Sequence, residues 1–262
     1  MNKKQLKYFL PPLFVDLGLY LKKKIQNFEN RNLINKNKQY YNKYIGETVH
    51  ILANGPSLTT EVLESLSGEK VIVMNNFFMG DLDVNLEIVA CCYGEHRNSP
   101  GCHAANIEDI LAKTAAMSFW LDISLAIYGF SNLEKSINFV LPVYEPGILG
   151  MSKIELEKPT LSYQTTAQLA IMVAMHMGFK NILLHGFDHN FLAVTDHLRH
   201  FYSSNKDDTD NLQDWSYYET ISVMERMWRI YIKLEKISKK QEINILNCSK
   251  GSFLDVFEKQ NF

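Results

Sequence analysis

The sequence has no apolar run long enough to cross a membrane. Spanning a bilayer takes roughly 18–20 consecutive apolar residues. The most apolar early stretch, FLPPLFVDLGLYL, is interrupted by Pro11, Pro12 and Asp16. It is not followed by a small-residue cleavage site, so a secretory signal peptide is not predicted either. We therefore expect a cytoplasmic protein.

Cysteine is scarce, and its spacing excludes two further classes of protein. The four cysteines are Cys91, Cys92, Cys102 and Cys248, and no two of them form a C-x-x-C pair. This pattern suits neither a zinc framework nor a secreted disulfide scaffold. Their apolar surroundings predict that the cysteines are reduced and mostly buried.

Several familiar signatures of function are also missing. The sequence contains no G-x-G-x-x-G fingerprint, no P-loop and no H-E-x-x-H metal motif. The G-x-S-x-G elbow of many hydrolases is absent as well. We expect no metal and no cofactor. A nucleic-acid partner is not expected, because no reader motif occurs and most of the chain is acidic.

Charge is distributed unevenly along the 262 residues, although the formal net charge is only −2. Residues 1–45 hold ten Lys and Arg against Asp16 and Glu29, a balance of +8. Residues 6–26 alternate apolar clusters with lysines, as an interfacial helix would. We interpret 1–45 as a basic segment that contacts an anionic membrane surface or packs on the domain. Residues 27–43 read as a polar connector.

Residues 46–262 show the alternation of strand-like and helix-like segments that is typical of an α/β domain. The crossover lengths suit parallel pairing, so the sheet should be doubly wound and mostly parallel. The polar segment 190–213 has no pattern and is interpreted as a lid. Strands are predicted at Thr48–Ala53, Lys70–Met74, Leu86–Cys91, Asn181–His185, in NFVLPV and in INILNC, which should close the sheet; helices are predicted in TTEVLESLSG, 104–117, TTAQLAIMVAMHMGF with Gly178 as its stop, and 214–240.

Polar residues follow the first two predicted strands, where open α/β sheets hold their ligands. In ILANGPSL, Asn54 offers an amide, Gly55 permits close backbone approach, and Ser57 can cap the next helix or donate a hydroxyl. A plain Asn-Gly turn is the structural alternative. Asn75, in MNNFFMGD, would also be costly to bury without a polar partner.

A second polar group follows the strand NILLH. Asp188, in GFDHN, suits a ribose or sugar hydroxyl, or a metal. The segment DHLRHFY then gathers His197, Arg199, His200 and Tyr202 within seven residues. A histidine here could act as a general base near neutral pH, with Arg199 or Tyr202 facing a phosphate.

The stretches ILANGPSL, MNNFFMGD and MGFKNILLHGFDHN together resemble the bacterial sialyltransferases of glycosyltransferase family 42. They resemble equally a related group that contains the archaeal 6-hydroxymethylpterin diphosphokinases and sugar-transferring flagellar accessory proteins. For that second group the similarity rests on GFDH, RHFY and the closing NCSKGSFLDVF. The resemblance covers roughly residues 47–92 and 161–257.

The sialyltransferase resemblance implies a single Rossmann-like, GT-A-like nucleotide-binding domain with a lid. It further implies a CMP-sialic acid donor, catalysis without a metal, and a lid histidine as the base. By position, Asn54 and Asn75 would contact the nucleotide, and Thr165 and Thr166 match the Thr-Ser pair that opens the buried helix. Asp188 matches the aspartate of the Gly-x-Asp motif.

The sequence is therefore compatible with three functions. The first is transfer of sialic acid or a related nonulosonic acid from a CMP donor to a cell-surface glycan, with a glycan or lipid-linked glycan as acceptor at the inner face of the membrane. The second is a pterin pyrophosphokinase, which would need Mg²⁺. The third is a nucleotide-binding protein without turnover. Whether His197 or His200 is the base, and whether the chain forms a homo-oligomer, are both open.

Overall fold

The computed structural model describes most of the chain after its first 29 residues. The described residues are 30–80, 84–99, 102–130, 136–144, 151–190 and 216–260. The strands are Thr48–Leu52 (β1), Lys70–Met74 (β2), Glu87–Tyr93 (β3), Phe119–Asp122 (β4), Ile137–Val140 (β5), Pro142–Tyr144 (β6), Thr160–Leu161 (β7), Asn181–His185 (β8), Asn244–Asn247 (β9) and Glu258–Lys259 (β10). The α-helices are Arg31–Asn35 (α1), Thr60–Ser65 (α2), Ala104–Lys113 (α3), Thr166–Met177 (α4) and Tyr217–Lys240 (α5).

Eight of the strands form one sheet in the order β10-β9-β8-β1-β2-β3-β4-β5, and their pairing is parallel throughout. From β1 the chain adds strands in one direction as far as β5. It then returns to place β8, β9 and β10 on the other side of β1. This is the predicted doubly wound α/β fold. Its strand order reverses between β1 and β8.

Helices cover both faces of the sheet and bury two apolar clusters. On one face α4 and α5 pack against β1, β2, β3 and β8; on the other, α2 and α3 pack against β2, β3 and β4. All twelve residues of α4 are buried, which explains why its sequence is apolar nearly all round. Helix α4 ends at Gly178, whose φ of +87° is the left-handed stop expected from the sequence.

The residues immediately before β1 are part of the folded core, so their interpretation as a polar connector is wrong from residue 30 onward. Helix α1 and a 3₁₀ turn at Lys36–Tyr40 occupy this stretch. Asn37 is fully buried and donates from Nδ2 to the carbonyl oxygens of Phe139 and Leu156, each at 2.8 Å. The burial of this segment was not predicted because its composition is polar. Its buried amide, Asn37, is stabilised by hydrogen bonds and not by apolar contacts.

Three strands, β4, β7 and β10, were missed by the sequence patterns, and one prediction about the sheet edge is wrong. Strand β4 is only four residues long and follows directly on a helix–loop segment, so no clear alternation marks it. The segment NFVLPV divides into β5 and β6, which belong to different sheets. Strand β9 does not close the sheet, because the two-residue strand β10 pairs outside it.

The structure bears on the cysteines and on membrane-spanning helices. All four cysteines are buried and free, as their surroundings predicted. Within the described ranges, no helix is both long and apolar enough to cross a membrane.

Candidate functional site

The carboxyl ends of β1 and β8 flank the point where the strand order reverses. In open α/β sheets such a point is the usual ligand site. The turn after β1 carries Asn54, Gly55 and Ser57, and the turn after β8 carries Asp188. The structure therefore brings together predicted site residues that lie more than 130 positions apart.

A carboxylate closes the turn after β1. Oδ2 of Asp188 accepts hydrogen bonds from the backbone N–H of Ser57, at 3.3 Å, and from its hydroxyl, at 3.0 Å. Ser57 is therefore not the helix cap that the sequence suggested. Thr59 caps α2 by accepting from the N–H of Val62. The N–H and hydroxyl that an anion would use on Ser57 are already bonded to a carboxylate of the protein itself.

Gly55 is required by the close approach of the two turns. A Cβ on Gly55 would lie 1.9 Å from Oδ2 of Asp188 and 2.3 Å from the carbonyl oxygen of Gly186. The backbone N–H of Gly55 donates to that same carbonyl at 3.1 Å. Gly186 itself has a φ of +73°, and a Cβ there would lie 2.3 Å from the carbonyl oxygen of Ala53. Side chains at either position would force the ends of β1 and β8 apart.

Two asparagines at neighbouring strand ends hold buried carbonyl oxygens. Asn54 is 8% exposed, and its Nδ2 donates to the carbonyl oxygen of Met74 at 3.4 Å. Asn75 follows β2 with a φ of +50°, in the left-handed region. Among the residues that the structure describes, neither Asn54 Oδ1 nor Asn75 Oδ1 has a hydrogen-bond partner. A buried acceptor without a donor is costly, so both oxygens suit a ligand that brings O–H or N–H groups.

The two threonines at the start of α4 have separate roles. Thr165 is the N-cap and accepts from the N–H of Gln168 at 3.4 Å. Thr166 is buried, and its Oγ1 accepts from the N–H of Gly94 at 3.1 Å, directly beyond β3. These contacts fix the start of α4 against the carboxyl edge of the sheet, beside the asparagines.

Asp188 and its neighbour His189 are both buried, and burial disfavours the charged form of each, which shifts their pKa values in opposite directions. Burial raises the pKa of Asp188, and the two hydrogen bonds from Ser57 act against that rise. Burial lowers the pKa of His189 to about 4, so its ring is neutral at pH 7. His189 Nε2 lies 2.9 Å from the hydroxyl of Tyr231, which also hydrogen-bonds Thr165. This network ties the turn after β8 to α4 and α5.

A further carboxylate at the same edge was missed from the sequence. Asp122 ends β4 and is 3% exposed. Its Oδ2 accepts from the hydroxyl of Tyr163 at 2.8 Å, and its Oδ1 accepts from the N–H of Ser124 at 2.8 Å. The available signal was an aspartate after the apolar run FWL, but that run is too short to predict a strand.

Four predicted site residues and the predicted lid cannot be placed. His197, Arg199, His200 and Tyr202 lie outside the described residues, as does almost all of segment 190–213. Across the described ranges, no group of three or more His, Cys, Asp or Glu side chains is arranged to hold a metal ion.

A buried histidine pair joins β1 to β8 just below the crevice. Nδ1 of His50 lies 2.9 Å from Nε2 of His185, so one ring donates and the other accepts. Burial lowers the pKa of both rings. For His185 the pKa falls to about 3, and the charge of His50 is a second cause. For His50 the charge of Glu69 acts against the lowering. A proton added to the accepting ring would set two N–H groups against each other.

Because of this pair, we expect the protein to lose stability as the pH falls below about 6.5, where an unfolded histidine takes up a proton. The folded rings resist that proton, so the unfolded state binds more protons and is favoured. His185 alone should lower the free energy of unfolding by about 2 kcal/mol between pH 7 and pH 5, and His50 acts in the same direction. Urea unfolding at both pH values measures this, and His185→Gln should show a smaller loss.

The control for this prediction is His103→Gln, because His103 is exposed. It should lose as much stability between the two pH values as the unsubstituted protein does. An equal loss in His185→Gln would contradict the assignment to the buried pair.

The fold and site define an open, doubly wound α/β protein with a cluster of buried polar side chains at the carboxyl edge of its sheet. No family model matches the chain, and no match to a curated protein was found. Among solved structures, it is similar to the sialyltransferase CstII from Campylobacter jejuni in complex with cytidine-5'-monophosphate, with 14% identity, 83% of this chain and 88% of that chain covered, and a TM-score of 0.48. It is also similar to CST-II in complex with a trisaccharide acceptor and CMP, with 13% identity, 81% and 85% covered, and a TM-score of 0.47.

Proposed function

We propose that this chain is a glycosyltransferase that moves sialic acid or a related nonulosonic acid from a CMP-activated donor to a glycan hydroxyl. The observation that carries the proposal is the pair of buried carbonyl oxygens of Asn54 and Asn75, which have no hydrogen-bond partner among the described residues. With Asp188 they follow β1, β2 and β8 at the carboxyl edge of the sheet. All three groups accept hydrogen bonds. A cytidine nucleotide supplies the matching donors, which are two ribose hydroxyls and the amino group of its base.

The chemistry requires few groups beyond those that hold the donor. The bond from the anomeric carbon to the phosphate oxygen breaks, and its electron pair leaves with CMP. A new bond forms between the anomeric carbon and the acceptor oxygen, whose proton passes to a base. We assign the base to His200, with His197 as the alternative, and the phosphate contacts to Arg199 and Tyr202, on the motif DHLRHFY.

Metal independence is part of the proposal. Among the described residues, the two carboxylates buried at this edge already accept hydrogen bonds: Asp188 accepts from Ser57, and Asp122 accepts from Tyr163 and Ser124. A hard divalent cation prefers several free carboxylate oxygens. Activity should therefore persist in EDTA.

We further propose that residues 1–29 hold the enzyme at an anionic membrane surface, where a lipid-linked glycan would be the acceptor. The basis is the excess of lysine in this segment, each basic residue near such a surface being worth about 1 kcal/mol. Removing residues 1–29 spares the buried residues before β1. The truncated chain should lose salt-sensitive binding to anionic vesicles, and unchanged binding would refute this part.

The test of the function is a ligand screen followed by a transfer assay. CMP should raise the melting temperature, because a ligand that binds only the folded state stabilises it. The purified chain should then transfer sialic acid from CMP-sialic acid to a glycan in the presence of EDTA. Stabilisation by ATP with Mg²⁺ and a pterin, but not by CMP, would indicate a pyrophosphokinase instead. Stabilisation by CMP without transfer to any acceptor would indicate a binding protein.

A further inference from the structure

The loop between β9 and β10 braces the turn that carries Asp188. The hydroxyl of Ser249 accepts from the N–H of Phe187 at 2.8 Å and donates to the carbonyl oxygen of Leu184 at 3.3 Å. The hydroxyl of Ser252 donates to the carbonyl oxygen of Phe187 at 2.6 Å. The backbone just before Asp188 is thus held at both its N–H and its carbonyl group.

This loop is itself rigidly anchored. Nδ2 of Asn247 donates to Ser252 Oγ at 2.9 Å and to the carbonyl oxygen of Leu254 at 3.0 Å, and its Oδ1 accepts from the N–H of Ser249 at 3.1 Å. Nζ of Lys259 donates to the carbonyl oxygen of Ser252 at 2.7 Å. The motif NCSKGSFL, which none of the proposed chemistry uses, therefore builds one wall of the crevice.

Phe253 is the one residue of this wall whose large apolar side chain is left in solvent. Its backbone N–H donates to the carbonyl oxygen of Asp188 at 2.9 Å, which places it directly beside the candidate site. Its side chain is 54% exposed, whereas Ser252 and Leu254 on either side are 4% and 0% exposed. An aromatic ring is thus exposed on a backbone that is anchored beside Asp188, although a buried position is normally preferred for a residue of this kind.

We propose that Phe253 stacks on the nucleobase of the bound donor. This inference rests on the proposed function and adds a residue to it. A carboxylate such as Asp188 only accepts hydrogen bonds, so the ribose hydroxyls are the part of a nucleotide that suits it best. The base is bonded to that ribose, and the backbone hydrogen bond from Phe253 to Asp188 keeps these two residues next to each other.

The experiment compares two ligands that differ in the base. Phe253→Ala should weaken CMP binding about 5- to 100-fold, the usual effect of losing one base–aromatic stack. Binding of ribose 5-phosphate should not change, because that ligand has no base. Phe253→Trp should bind CMP at least as tightly as the unsubstituted protein. The matched control is Ile127→Ala, since Ile127 is 68% exposed beyond β4 and outside the proposed machinery.

Calorimetric titration separates this inference from the function on which it depends. Unchanged CMP affinity in Phe253→Ala, with tight binding to the unsubstituted protein, would overturn the stacking role and leave the proposed function standing. An equal loss for CMP and ribose 5-phosphate would show a structural role and would also overturn it. Absence of CMP binding by the unsubstituted protein would overturn both.

Discussion

Replacing His200 with alanine should lower kcat for sialyl transfer by about 10²- to 10⁴-fold, the usual contribution of a positioned general base. CMP affinity should stay near that of the unsubstituted protein, because the base acts on the acceptor hydroxyl and not on the nucleotide. The pH dependence of the rate is a second measure of the base. The rate should fall at acid pH in the unsubstituted protein, where imidazole is protonated and cannot accept a proton.

His197→Ala is the control for this prediction, since DHLRH holds two eligible histidines. It should keep most of its activity. If His197→Ala is the inactive variant and His200→Ala is active, the assignment is wrong but histidine base catalysis survives. Normal turnover by both variants would exclude a histidine base in this segment.

Gly55→Ala should weaken donor binding and destabilise the fold, because the added methyl group has no room. Its Cβ would overlap the carboxylate of Asp188 and the backbone carbonyl group of Gly186. A backbone oxygen cannot rotate away, so the ends of β1 and β8 must separate. Overpacking of this kind costs about 1–3 kcal/mol of stability. A displacement of about 1 Å at the site would lower kcat/KM by roughly 10²-fold.

Gly68→Ala is the control that separates the loss of stability from the loss of kcat/KM. Gly68 has a φ of +82° and open space where a Cβ would lie. Its replacement should therefore cost about 1–2 kcal/mol of backbone strain without any change in KM or kcat. Thermal unfolding and steady-state kinetics on both variants make the comparison. Full activity in Gly55→Ala would show that the contact between the two turns does not shape the site.

The sequence predicted those parts of the fold whose signals are local. Strands β2 and β8 have the expected bounds, and the buried helix ends at Gly178 as its pattern required. Strand β4 and the packed segment before β1 were not predicted, because neither has a periodic apolar pattern. The first is only four residues long, and the second is anchored by the buried amide of Asn37.

The candidate site was predictable in its location but not in its internal contacts. Polar residues after apolar runs indicated the carboxyl edge, and Asn54, Asn75 and Asp188 lie there. The bond between Ser57 and Asp188 spans 131 positions, so no local pattern could show that the turn is closed by the protein's own carboxylate. The wall built from Asn247, Ser249 and Ser252 likewise depends on side chain–backbone hydrogen bonds that only the folded chain defines.

Titration of CMP into the unsubstituted protein and into Asn54→Ala tests the central claim most directly. The unsubstituted protein should bind CMP in the absence of metal. Loss of the acceptor Oδ1 should weaken binding by about 0.5–1.5 kcal/mol, or up to roughly 3 kcal/mol if the ligand group is charged. Stability should change little, since the bond from Asn54 to Met74 is long. A folded protein that does not bind CMP, or an Asn54→Ala variant that binds it as tightly and only loses stability, would contradict the assignment of this crevice as the nucleotide site.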